Sequence, residues 1–196
     1  MKLHLGCGKL KLRNFINVDI DSPVADIKLN ITDLSIITTQ CVDEIYICHV
    51  LEHFKRYEIL DLFLTWNRVL KCDGILRISV PDFEKVVRVY MKDKKLYDLI
   101  GFLNGGQKNM YDIHYVNFDY TTLSGLLSAC GFSNFSIYDP HAFLGDQDDY
   151  SKAYLPHMDS VNGELMSLNI VCSKIRDVTM NEVELSDELK RYVKYV

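Results

Sequence analysis

Two glycines and an aspartate set the first chemistry this chain can do. Lys2-Leu3-His4-Leu5 reads as a strand that runs into Gly6-Cys7-Gly8, and Ile16-Asn17-Val18-Asp19 follows closely. Small residues after a strand let backbone N–H groups approach a ligand, and a carboxylate closing the next strand can accept both hydroxyls of a ribose. Gly6, Cys7, Gly8 and Asp19 are therefore candidate residues for a nucleoside-like cofactor. A dinucleotide loop wants about twenty residues before its acidic partner. Here Asp19 follows Gly8 by eleven and Leu10 takes the place of a third glycine, which counts against a nicotinamide dehydrogenase. It also makes the first crossover short or barely helical.

Further candidates follow in order. Asp33, in Asn30-Ile31-Thr32-Asp33-Leu34, is placed to accept from an adenine amino group while Leu34 packs on the ring; capping a short helix is the equal alternative for Asp33. His49-Val50-Leu51-Glu52-His53 matches the H-x-x-E-H pattern in which two histidines bind zinc beside a glutamate. A zinc hydrolase builds that motif inside a helix, whereas His49 leaves a run of β-prone residues, so the expectation is no metal. His53 and His114 suit a general base because imidazole titrates near working pH, with capping or loop hydrogen bonding as the structural alternative. His141, His157 and Asp146–Tyr150 are lesser candidates for a substrate wall.

The elements that must position these residues alternate between apolar runs and helix-period segments, the pattern of an α/β domain with a largely parallel sheet. Strands are expected at 2–5, 15–18, 26–29, 44–48, 75–80, 134–138 and 167–173, the first five forming the sheet centre. Helices are expected at 55–70, stopped by Gly74 at positive φ, and at 120–130, stopped by Gly131. Two irregular stretches interrupt the pattern, 82–119, whose start is amphipathic through Phe83, Val86, Val87 and Tyr90, and 139–163. Such insertions after strand ends tend to be lids and specificity loops. Residues 1–174 thus form one domain, and 175–196 an amphipathic extension through Leu185, Leu189, Tyr192, Val193 and Val196, with Ser186 as N-cap. That extension packs on its own domain or on a partner, and a homodimer is compatible with it.

With 196 residues and a net charge of −5, the chain has the balance of a soluble single domain and lacks the basic face a nucleic-acid backbone requires. Its six cysteines are scattered without a C-x-x-C pair, as expected of buried reduced thiols in a cytoplasmic protein. No charged leader with an apolar core opens it, and no run approaches the ~20 apolar residues of a membrane span.

Taken in order, Leu3-His4-Leu5-Gly6-Cys7-Gly8, Asn17-Val18-Asp19, His49-Val50-Leu51-Glu52-His53 and the stretch from Arg68-Val69-Leu70-Lys71 to Val80-Pro81-Asp82 resemble the class I S-adenosylmethionine-dependent methyltransferases, specifically the small bacterial type with LGCG and HxLEH motifs. The resemblance covers most of 2–174. It implies a Rossmann-like, doubly wound sheet of seven strands, parallel except for the last, with S-adenosyl-L-methionine over the C-terminal strand ends. By position it puts Gly6 and Gly8 near the methionine part, Asp19 on the ribose, Asp33 and Leu34 on adenine, and His49 beside the methionine moiety. His4 departs from the acidic residue many relatives carry, as Leu10 does from glycine. The implied activity is methyl transfer to a small-molecule or saccharide-like acceptor, at oxygen. The alternative from another class is a methyltransferase-like scaffold that binds a partner through its C-terminal segment.

Overall fold

A computed structural model of the chain describes residues 1–194; Val196, expected on the C-terminal apolar face, lies outside the described residues. The first half runs β1 (Lys2–Leu5), β2 (Ile16–Asp19), β3 (Ile27–Lys28), β4 (Val42–Cys48), α1 (Ile59–Val69) and β5 (Leu70–Pro81). Next come α2 (Phe83–Asp93), α3 (Ile100–Asn104), α4 (Tyr120–Ala129), β6 (Phe132–Ile137) and α5 (Pro140–Leu144). The chain continues through β7 (Tyr154–Leu155), β8 (Glu164–Leu165), β9 (Ser167–Lys174) and α6 (Asp187–Val193). No helix among the described residues is long and apolar enough to cross a membrane.

Seven strands form one sheet in the order β3-β2-β1-β4-β5-β9-β6, while β7 and β8 pair as a separate hairpin. Neighbours from β3 to β5 are parallel, and β9 is antiparallel to both β5 and β6. The expected α/β sheet with one antiparallel strand is therefore present. The centre differs from expectation: β3 is a two-residue edge strand, and β9, last in sequence, lies inside.

Period-two alternation divides the sheet into unlike faces. Leu3 and Leu5, Ile45 and Ile47, Leu76 and Ile78, and Leu168 and Ile170 point to a large apolar core shared with α1, α4 and α6. Trp66 and Phe63 of α1 and Leu123, Leu126 and Leu127 of α4 fill it. Each such fully buried side chain contributes roughly 1.5–3 kcal/mol before conformational entropy is charged against it.

The opposite face carries His4, Asn17, Ser79 and Asn169, all buried, beside Tyr46. A parallel sheet of this kind ordinarily buries apolar residues on both sides, so these polar groups must be satisfied by what covers them. Ser79 Oγ donates to Asn169 Oδ1 at 2.6 Å and so accepts from Tyr138 Oη, also at 2.6 Å. Tyr46 Oη donates to Asp149 at 2.7 Å, and Asn169 Nδ2 donates to the Ser151 carbonyl at 3.0 Å. The cover is α5 and the 3₁₀ turn Tyr150–Lys152, not a long helix, so the double winding is lopsided.

Two expected details are corrected. α1 stops at Val69, with Leu70 already extended, and the positive φ in the turn beyond belongs to Asp73, at 60°, rather than to Gly74. Gly74 is needed for another reason, since a Cβ there would lie 2.8 Å from the Lys71 carbonyl oxygen. In α2 the buried side is Val86, packed with Leu99 and Met166, while Phe83, Val87 and Tyr90 stay exposed. Gly131, at φ 87°, ends α4 as expected.

The C-terminal segment folds back on its own domain. Ser186 caps α6 through a bond from the Leu189 N–H, Leu189 packs against Gly125, and Tyr192 Oη donates to the Asn117 carbonyl at 2.5 Å. Lys174, 1% exposed, donates to the Asn67 and Leu70 carbonyls at 2.6 and 2.9 Å and pairs with Asp177 at 2.6 Å. It thereby satisfies carbonyls that the end of α1 leaves open.

Candidate functional site

The glycine loop and Asp19 meet at the C-terminal ends of β1 and β2. Gly6 and Cys7 both donate to the Val18 carbonyl, at 2.8 and 3.1 Å, which folds the loop back over β2. Gly8 N–H donates to Asp19 Oδ2 at 2.9 Å, and Asp21 and Ser22 N–H groups donate to Oδ1 at 3.0 Å each. The 6–15 connection contains no helix, as the short spacing to Asp19 requires.

Both glycines adopt positive φ, 69° at Gly6 and 52° at Gly8, a region open to glycine at little cost. At Gly6 space matters as well, because a Cβ would collide with Val50 Cγ2, whereas at Gly8 it would project into open space. Val50, in the H-x-L-E-H segment, thus packs directly on the loop. Cys7 is buried, and burial raises its thiol pKa.

His4 sits under this loop. Its Nδ1 lies 3.0 Å from Asn17 Oδ1, which also accepts from Leu12 N–H at 2.8 Å. An amide oxygen only accepts, so His4 Nδ1 carries the hydrogen. Burial lowers the His4 pKa against the opposing bond to Asn17. Asp33 accepts from Ser35 N–H at 2.9 Å in a local turn, and Leu34 is 1% exposed within the core. Asp33 thus stands exposed near the third strand end, and Leu34 is committed to packing.

His49 leaves β4 at φ 51°, with its N–H bonded to the Ser79 carbonyl at 2.9 Å. Ser167 Oγ gives its one hydrogen to the Tyr150 carbonyl at 2.6 Å, so the 2.8 Å contact with His49 Nε2 is a bond donated by the imidazole. Tyr150 packs against the His49 ring at 5.6 Å between centroids. The segment His49-Val50-Leu51-Glu52-His53 is not a long helix but a strand end followed by the 3₁₀ turn Leu51–His53.

That turn is stitched to the first insertion. His53 Nδ1 donates to the Ile113 carbonyl at 3.1 Å, Tyr115 N–H to the Glu52 carbonyl at 2.8 Å, and His114 Nδ1 to the Phe102 carbonyl at 2.9 Å. His53 and His114 therefore stand together, ring centroids 4.8 Å apart, as two of the residues singled out from sequence. Gly105, at φ 72°, permits this seat, since a Cβ there would lie 2.9 Å from His114 Cδ2.

Glu52 is the residue that sequence reasoning left without a role. It is fully buried, its Oε1 lies 3.1 Å from His49 Nδ1, and neither oxygen makes a hydrogen bond of good geometry among the described residues. Burial pushes its pKa up, but the surrounding His49, His53 and His114 outweigh that and hold it below the usual value. Burial also lowers the His114 pKa, against the pull of Glu52. The signal in sequence was the H-x-x-E-H spacing itself.

Beside this cluster opens a cavity of about 890 Å³, walled by the two insertions. His49, His53 and His114 form one side, and Lys92, Asp98, Asp112, Tyr154, His157 and Glu164 are among the others. Of the lesser candidates, His157 and Tyr150 line the cavity, while His141 Nε2 meets Tyr154 Oη at 3.0 Å outside it. Asp146 pairs with Arg13 and Asp149 with Tyr46, so most of 146–150 anchors the cover of the polar face.

In fold, the chain is similar to structures solved as S-adenosylmethionine-dependent methyltransferases. One from Methanosarcina mazei has a TM-score of 0.58 at 18% identity, over 89% of this chain and 92% of that one. Another, from Archaeoglobus fulgidus, has a TM-score of 0.55 at 17% identity, over 88% and 85%. No family model matches the sequence. No curated protein matches it either.

Proposed function

We propose that the protein is an S-adenosylmethionine-dependent methyltransferase acting on a small, polar, saccharide-like acceptor at oxygen. The observation that carries this reading is the bond from Gly8 N–H to the Asp19 carboxylate beside open space above Gly8. Asp19 Oδ2 keeps a lone pair free beyond the Gly8 N–H to accept from a ribose hydroxyl, while Oδ1 already accepts from Asp21 and Ser22. The cofactor supplies an electrophilic methyl group on a sulfonium sulfur. Gly6 and Gly8 hold the loop close, Asp19 fixes the nucleoside, and His49 borders the wall toward the cavity.

Methyl transfer to a hydroxyl forms an oxygen–carbon bond as the carbon–sulfur bond breaks with its electrons left on sulfur, and the hydroxyl proton must depart. Alignment and exclusion of water supply most of the acceleration. His53 and His114, which line the cavity, are the candidates to receive that proton in the metal-free protein. The mixed lysine, carboxylate and tyrosine lining of the cavity suits a hydroxyl-rich acceptor better than an apolar one. The six free thiols fit a reducing compartment, in keeping with a cytoplasmic enzyme.

Calorimetric titration with S-adenosylmethionine tests the reading. Saturable one-to-one binding by the wild type that Asp19→Ala weakens is the expected result; no binding by the folded wild type refutes it. Of the three features that favour the scaffold alternative, the C-terminal helix counts less, because α6 packs its apolar side on α4 and the core.

A further inference from the structure

We propose that Glu52, His53 and His114 form a binding site for one divalent transition-metal ion of the zinc type at the wall of the acceptor cavity. One potential ligand atom from each of the three lies within 4.8 Å of the other two. A first-row ion bound at about 2.0–2.2 Å holds its ligands roughly 3–4 Å from one another. His114 Nε2 is 3.9 Å from Glu52 Oε1, within that range.

Proton placement favours a cation. His53 and His114 each donate from Nδ1 to a backbone carbonyl, which leaves Nε2 as the nitrogen open to a cation. This is the arrangement by which proteins orient metal-binding imidazoles. His49 donates through Nε2 to Ser167 and turns Nδ1 toward Glu52 Oε1 at 3.1 Å. A fully buried carboxylate that makes no hydrogen bond of good geometry among the described residues, with three imidazoles beside it, is an expensive arrangement for the protein alone, and one cation resolves it. Two imidazoles and a carboxylate suit zinc and its neighbours rather than calcium or magnesium, which prefer all-oxygen sites.

The site replaces the expectation of no metal. Its existence does not depend on methyl transfer, but its role rests on that reading. His53 and His114 line the cavity, so an open coordination position on that side is available to an acceptor hydroxyl. The ion would orient the hydroxyl and ease loss of its proton to water in the cavity, with His53 and His114 acting as ligands rather than bases.

The test uses the full chain stripped of metal, titrated with Co²⁺ by visible absorption and with Zn²⁺ by calorimetry. One equivalent per chain should bind, with cobalt ligand-field bands. Glu52→Gln and His114→Ala should each weaken binding at least about 100-fold, and Cys72→Ser, which alters an exposed thiol, should leave it unchanged. If Glu52→Gln fails to fold by circular dichroism, His114→Ala decides. Absence of a stoichiometric ion in the wild type, or binding that survives loss of His114, overturns the site. S-adenosylmethionine is titrated into the same metal-free sample. Cofactor binding without metal binding sinks the metal site alone, and metal binding without cofactor binding sinks the methyltransferase reading alone.

Discussion

Asp19 and Gly8 are joined by a 2.9 Å hydrogen bond from the glycine N–H to the aspartate carboxylate, so the acidic residue proposed to hold the nucleoside also braces the glycine loop. Asp19→Asn keeps one acceptor oxygen but loses the charge. A charge-assisted bond contributes about 1.5–3 kcal/mol, so Asp19→Asn should bind S-adenosylmethionine roughly 10–100-fold more weakly by calorimetry, and Asp19→Ala more weakly still. Unchanged affinity in both would remove Asp19 from the site.

Gly6→Ala faces two penalties, a left-handed backbone and the Val50 side chain. Each costs about 1 kcal/mol or more, and urea unfolding should show a loss of about 2–4 kcal/mol. Val50→Ala in the same chain should recover the steric share but not the backbone share. A double mutant no more stable than Gly6→Ala would mean that the contact with Val50 is unimportant.

Stability should fall in mild acid because of His4. Its folded pKa is lowered from the ordinary 6.5 by burial, so between that value and the lower folded one the unfolded chain binds a proton that the native chain refuses. The contribution is complete above pH 6.5 and is lost as the pH drops through the folded pKa. Urea midpoints compared at pH 7.5 and 5.5 should separate less in His4→Gln than in the wild type; equal separations would deny His4 this role.

Gly105→Ala should disturb the acceptor side alone. The added methyl group meets the Asp112 carbonyl oxygen and His114, displacing the insertion from Glu52. Turnover with any acceptor should fall about tenfold or more while S-adenosylmethionine affinity stays within about twofold, as a 1 Å misplacement can cost that much. A matched loss of both would place His114 in the cofactor site instead.

Lys174→Met keeps the bulk but strands two buried carbonyls. Each unsatisfied group costs about 1–3 kcal/mol, so unfolding should be easier by about 2–4 kcal/mol with cofactor affinity unchanged in the remaining folded protein. A neutral substitution would show that water replaces the ammonium.

The glycine loop, Asp19, the strand sequence and the Ser186 cap were legible because each depends on residues close together in the chain. The polar face was not: Ser79, Asn169 and Tyr46 look like interruptions of apolar strands until Tyr138, Asp149 and Ser151 are brought over them. Glu52 escaped for the same reason, since its meaning depends on His114 from a distant insertion. Asp73, not Gly74, took the positive φ because glycine was needed for the close approach to Lys71.

The connection between β1 and β2 has no helix to hold it, and Arg13 is instead gripped by Gln147, 134 positions later. Contacts of such long range are slow to close. During synthesis the glycine loop must therefore wait for the stretch around α5 to leave the ribosome, and a truncated chain ending before it would carry every loop residue yet lack the clasp that steadies them.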